Sequence, residues 1–168
     1  MALHVPDTEM NWTFTELKKH LAAHQEWVAS RGVTGKHLAL TGVVLERANF
    51  GGLALDGTDC SQARFRRCRF ADAQFNTCRF SDSELIDCDL GTTELVDAIF
   101  MRARLLRCDL STANLRGTVW FDAKLADVDF SRALFDGAQF DGCTFDNIRW
   151  PTPPISGLAL KNCRGSLP

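Results

Sequence analysis

Every fifth residue from Leu40 to Trp150 is apolar, and none of the 23 positions in that frame breaks the register: Leu40, Leu45, Phe50, Leu55, Cys60, Phe65 and so on to Phe140, Phe145 and Trp150. With 45% of the chain hydrophobic, one chosen frame would do this by chance with a probability on the order of 10⁻⁸, so the period outranks any propensity argument. A second position, two residues before each of these, is small. From Ala48 to Cys143 it is Ala, Cys, Ser or Thr in 18 of 20 cases, Leu53 and Val128 being the exceptions. The other three positions of each five are mostly Asp, Arg, Asn, Gln, Glu, Gly or Ser. Two positions therefore point inward and three outward. Neither the 3.6-residue period of a helix nor the two-residue alternation of a strand yields a strict period of five, so the chain must turn after every short extended piece. The pattern predicts a coil with flat sides, and repeats of this kind bury a core only by stacking on one another.

Stretches such as Ala48-Asn49-Phe50, Cys88-Asp89-Leu90, Cys108-Asp109-Leu110 and Ala113-Asn114-Leu115 resemble the A(D/N)LXX unit of the pentapeptide-repeat family. The resemblance runs in frame over about 110 of the 168 residues. It implies an all-β solenoid: a right-handed quadrilateral β-helix with four units per coil, in which residues 20 apart stack on the same face. The 23 units then make five to six coils, a shaft about 28 Å long at strand-like spacing. Residues 1–36 are expected to form an N-terminal segment with a capping helix, 37–150 the repeat shaft, and 151–168 a Pro-rich exit and tail that can add an irregular last coil.

Residues 13 to about 30 carry the marks of an amphipathic helix. Thr13 and Glu16 are spaced as a capping box, Phe14, Leu17, Leu21, Trp27 and Val28 lie near one face, and Gly32 follows as a stop. An open β-helix leaves unpaired backbone at its first coil, so this helix is expected to cap the top of the shaft. At the other end Pro151, Pro153 and Pro154 interrupt the repeat.

Chemistry is sparse. Seven cysteines, Cys60, Cys68, Cys78, Cys88, Cys108, Cys143 and Cys163, form an odd set without a CxxC pair, which points to reduced, buried thiols rather than a disulfide scaffold or a zinc site. Cys68, Cys88 and Cys108 fall 20 apart and should form one inward column. The histidines, His4, His20, His24 and His37, all precede the repeats; His20 and His24 have metal-ligand spacing but no third ligand, and read as a solvated or packed helix face. No nucleophile elbow, phosphate loop or dinucleotide fingerprint appears, and a filled shaft offers no pocket to shift the pKa of its many carboxylates. The expectation is a non-enzyme without cofactor or metal. A start lacking the basic and apolar stretches of a signal peptide, and the absence of an 18-residue apolar window, point to a cytoplasmic protein with no membrane contact.

Function is then expected on the outer surface. Ile99, Met101, Val119 and Phe121 flank the inward Phe100 and Trp120 on successive coils of one face, with Ile86, Val96 and Leu106 at neighbouring corners or sides. Seven outward apolar residues within two or three coils predict a patch for a protein partner or for self-association. An alternative site is the acidic stripe Asp89, Asp109 and Asp129. Some members of the family resemble a DNA duplex in shape and charge and protect DNA gyrase, which would make the stripe a nucleic-acid mimic. A net charge of only -2, and arginines at 47, 64, 66, 67 and 69, make it the weaker of the two, and direct nucleic-acid binding is not expected.

Overall fold

The computed structural model describes residues 10–152 and 155–168; the expectations on His4, Pro153 and Pro154 fall outside them. The chain runs through β1 (Met10–Asn11), α1 (Phe14–Ala29), β2 (Val43–Glu46), β3 (Arg64–Arg66), β4 (Glu84–Ile86), β5 (Arg104–Leu106), β6 (Val119–Phe121), β7 (Lys124–Ala126), β8 (Gln139–Asp141), β9 (Thr144–Asp146), β10 (Ala159–Lys161) and β11 (Arg164–Gly165). All pairings among these strands are parallel, in an eight-stranded ladder β1-β2-β3-β4-β5-β7-β9-β11 and a three-stranded ladder β10-β8-β6. Apart from β1 with β2, the partners lie 20 residues apart, in six steps from Val44 through Arg64, Glu84, Arg104, Lys124 and Thr144 to Arg164. The other sides are held by isolated bridges in the same register, such as Asp89 with Asp109 and Glu94 with Asn114. We name the four sides by their central residues: face 1 through Phe100, face 2 through Leu105, face 3 through Leu110 and face 4 through Leu115.

Corners explain why the period is five. At most of them the second residue after the central one adopts a left-handed conformation, as do Arg67, Asp87, Arg107, Asp127 and Asn147 after face 2 and Gly57, Thr77, Asp97, Gly117 and Gly137 after face 4. Glycine enters this region without penalty and Asp and Asn tolerate it better than most, so the polar corner residues are backbone choices before they are surface choices. At tight corners the amide three residues after the central one closes onto its carbonyl, as Ala73 does on Phe70 (2.9 Å) and Ala113 on Leu110 (3.1 Å).

The core fills the shaft in columns. Phe80, Phe100, Trp120 and Phe140 stack nearly parallel on face 1, with centroid separations of 4.9, 3.9 and 5.1 Å, and each is buried. Trp120 places its indole N–H on the Thr118 hydroxyl (2.9 Å), which in turn donates to the Leu115 carbonyl (2.7 Å), so the largest core side chain carries no unmet donor. The small inward position holds Ala and Cys at the corners. Cys68, Cys88 and Cys108 stack there, and each thiol donates to the carbonyl 23 residues earlier: Leu45, Phe65 and Leu85. Cys143 and Cys163 repeat the arrangement with Trp120 and Phe140. Six of the seven cysteines are buried and Cys163 in the last coil is half-buried; all are free thiols.

The N-terminal end differs from a simple helical lid. Helix α1 begins at the expected capping box: the Thr13 hydroxyl accepts from the Glu16 amide (3.2 Å) and the Glu16 carboxylate accepts from the Thr13 amide (2.7 Å). That geometry also holds the Glu16 carboxyl below its usual range. The buried residues of α1 are Leu17 and His24, with Leu21 and Trp12 packed against the core. Phe14 (74% exposed) and Val28 (39%) turn away from it, because the stripe that meets the shaft runs through positions 17, 21 and 24. Ahead of the helix, β1 pairs with β2 and covers the first strand edge directly; two residues are too few to show a period in sequence.

Candidate interaction surface

On face 1, Ile99 bridges Val119 in parallel register, the Phe100 amide donates to the Val119 carbonyl (2.8 Å), and the Arg102 amide donates to the Phe121 carbonyl (2.7 Å). The side chains of Ile99 and Met101 are half-buried, while Val119 and Phe121 are 39% and 43% exposed. They form one island two coils tall. It ends at Arg79 and Ser81 on the coil before and at Gln139 and Asp141 on the coil after, the latter pair in register with Val119 and Phe121. Val96 sits half-buried at the bordering corner, its amide donating to Asn76 Oδ1 (2.9 Å).

Ile86 and Leu106 lie elsewhere. They pair in register on face 2, half-buried and followed by Ala126, and the column Glu84, Arg104, Lys124 separates them from Met101 and Phe121. Leu106 and Ala126 line a shallow furrow there with Arg104, Lys124, Thr144 and Asp146. The seven residues read together from the sequence are therefore divided into two apolar islands with a charged column between them. Leu134 on face 4, 42% exposed, belongs to neither and was not singled out, although its place one residue before the central Phe135 marks it as outward by the same rule.

Charged side chains are arranged mainly as ladders between coils. Arg102 makes two bonds of 2.7 Å to Asp82, Arg107 bonds Asp87 at 2.6 and 3.1 Å, Arg116 reaches Asp136 at 3.1 Å, and Asn147 donates to Asp127 (2.7 Å). The arginine hydrogen bonds hold the Asp82 and Asp87 carboxyls below the ordinary range. As exposed pairs they add little to stability individually; they neutralise the corners.

The acidic stripe is stacked as its register requires, Asp89 on Asp109 on Asp129. Each carboxylate accepts from the amide two residues on: Gly91 (3.1 Å), Ser111 (2.8 Å) and Ser131 (2.8 Å). Arg69 stands 3.9 Å from Asp89 and Arg149 3.2 Å from Asp129, so arginine brackets both ends. Burial raises the Asp129 carboxyl, but the Ser131 amide and hydroxyl with Arg149 outweigh it and hold it low. These aspartates are turn-forming groups, and arginine stands beside the first and the last of them.

The family of this solenoid is decided by its repeats. A family model described as "Pentapeptide repeats" matches in 8 copies over residues 44–82, 78–117 and 122–149. The chain belongs to the pentapeptide-repeat family. Its fold is the family's right-handed quadrilateral β-helix, with one N-terminal helix added. Among solved structures, the chain is similar to full-length QnrB1, a plasmid-mediated fluoroquinolone resistance protein, at 17% identity over 74% of this chain and 85% of that one (TM-score 0.46). It is likewise similar to the pentapeptide-repeat protein Rfr23 of the cyanobacterium Cyanothece 51142, at 21% identity over 68% and 88% (TM-score 0.47). No curated protein sequence matches. Among the described residues, no group of three His, Cys, Asp or Glu side chains could hold a metal ion, and no helix is long and apolar enough to cross a membrane.

Proposed function

We propose that this pentapeptide-repeat protein is a non-enzymatic binding module that docks a protein partner on face 1, through Ile99, Met101, Val119 and Phe121. The observation that carries this reading is the two-coil island itself. On a shaft whose outward positions are otherwise mostly polar, two large side chains are each about two-fifths exposed, one coil above two half-buried ones, in strict register. A contiguous apolar patch of this kind marks an interface more often than scattered exposed residues do. A single face is narrow, so the partner contributes a slender element rather than a broad surface. Ile86 and Leu106 offer a second, smaller contact around the corner.

Replacing Phe121 with Glu tests the reading. The side chain faces outward, so the variant should unfold at the wild-type temperature within about two degrees while association weakens tenfold or more, the loss expected at a buried anchor. Unfolding of the variant would mean that the residue packs inward; unchanged association would mean that face 1 is not an interface. Association through the island should also be nearly insensitive to salt, whereas recognition through Asp89, Asp109 and Asp129 would fall steeply as salt rises.

A further inference from the structure

His24 joins three pieces of chain at the N-terminal end, and its side chain has no exposure to solvent. Nδ1 accepts the Leu38 amide at 3.1 Å and Nε2 lies 3.0 Å from the Ala54 carbonyl. Since an amide N–H points into Nδ1, that nitrogen carries no proton, and the Nε2 proton donates to Ala54; the network requires the neutral ring in one tautomer. The imidazole thereby ties α1 to the segment that enters the shaft and to face 4 of the first coil. The neighbouring Lys36 amide donates to the Ala23 carbonyl at 2.9 Å, and Trp27 stacks on the ring with a centroid separation of 5.9 Å.

We propose that His24 is an acid-operated latch: taking up a proton at Nδ1 unseats β1 and α1 and uncovers the N-terminal strand edge of the shaft. A proton there would aim two donors at each other across the Leu38 contact and place a charge in a fully buried site. The charged groups around it are few. From the entering segment, His37 stands edge-on at 5.1 Å and Lys36 is exposed. The first coil contributes Asp56, whose Oδ1 is engaged by the Asn76 amide at 2.8 Å. From the end of α1, Arg31 lines the same furrow as Asp56. Burial holds the His24 imidazole below the ordinary histidine value, against the pull of its hydrogen bond to Ala54, and His37 pushes the same way as burial while Asp56 opposes it. With the folded value depressed, the latch's stabilisation is complete above the unfolded histidine value and is lost as pH falls through the folded one. What opens is the parallel edge of β2, Val43–Glu46, which β1 covers when the latch is closed. A bare edge of this kind pairs readily with another strand.

Amide hydrogen exchange on the full chain at pH 7.5 and pH 5, corrected for intrinsic rates, reads the latch directly. Protection of residues 14–29 should fall at least tenfold at pH 5 while amides of β3 to β9 keep theirs. His24→Gln should lower protection of the helix at pH 7.5 and remove its pH response; His37→Gln should keep the response and move it to higher pH, since a repelling charge is gone. Equal corrected protection of α1 at both pH values, or an unchanged acid response in His24→Gln, would overturn the proposal. Should His24→Gln not fold, the wild-type His24 ring C–H signals decide. A change that coincides with loss of α1 protection supports the latch; an ordinary histidine titration with α1 still protected refutes it.

Discussion

The thiols show how one residue type can serve a solenoid. At the small inward position a cysteine fills little more space than alanine, yet its S–H reaches a carbonyl on the coil before, as in Cys78 to Leu55 at 3.1 Å. Burial pushes the Cys78 and Cys143 thiols up to about 12. A folded value above the unfolded one means that their contribution to stability is full below the unfolded thiol range and is lost as pH rises through it toward 12. Urea midpoints should therefore hold between pH 7 and 8 and fall progressively above pH 9. Native protein should react with a thiol reagent at Cys163 first and at the other six only at the rate of unfolding; fast native labelling of Cys78 or Cys143 would contradict their burial.

The elements divide into those that repeat and those that end the repeat, and the first kind was the more fully legible. The central and small positions followed from a period of five; the 20-residue columns and the stacked Phe80, Phe100, Trp120 and Phe140 followed from the four units per coil that the family resemblance implies, because each inward residue is then forced to meet its counterpart one coil away. Helix α1 was legible from Thr13 and Glu16, since capping is a local interaction. Which side of the helix meets the shaft was not: Phe14 read as part of the buried face, but it lies beyond the rim, under the Lys18 ammonium at 5.1 Å. His24 read as an ordinary packed or solvated histidine, because its two partners, Leu38 and Ala54, are 14 and 30 residues away. The turn between helix and shaft depends on Gly35, which has φ +77° and whose added Cβ would stand 2.5 Å from the Trp27 amide, with the Ala23 carbonyl closer still. Gly35→Ala should loosen the cap by about 2 kcal/mol or more, a strained left-handed position compounded by a backbone clash, seen as faster proteolysis of residues 14–36 while the shaft persists.

At the scale of the molecule, the shaft is a rigid four-sided rod whose interior is occupied by its own side chains, and its sides differ in chemistry. Corner ladders such as Arg102 with Asp82 and Arg107 with Asp87 neutralise charge between coils, and the acidic column of face 3 is engaged by its own turns. The register of four units per coil, which the family resemblance implies, put Ile99 with Val119 and Met101 with Phe121. It did not reveal that Glu84, Arg104 and Lys124 set Ile86 and Leu106 apart, because the breadth of a corner is a three-dimensional property. The measurement that tests the binding surface most directly is site-specific photo-crosslinking with a benzophenone side chain placed singly at positions 121, 106, 109 and 134, each variant first shown to unfold like wild type. The account predicts one adduct of defined mass from position 121, a weaker one from 106, and none from 109 on the acidic column or 134 on face 4. An adduct from 109 without one from 121 would contradict it and place the partner on face 3.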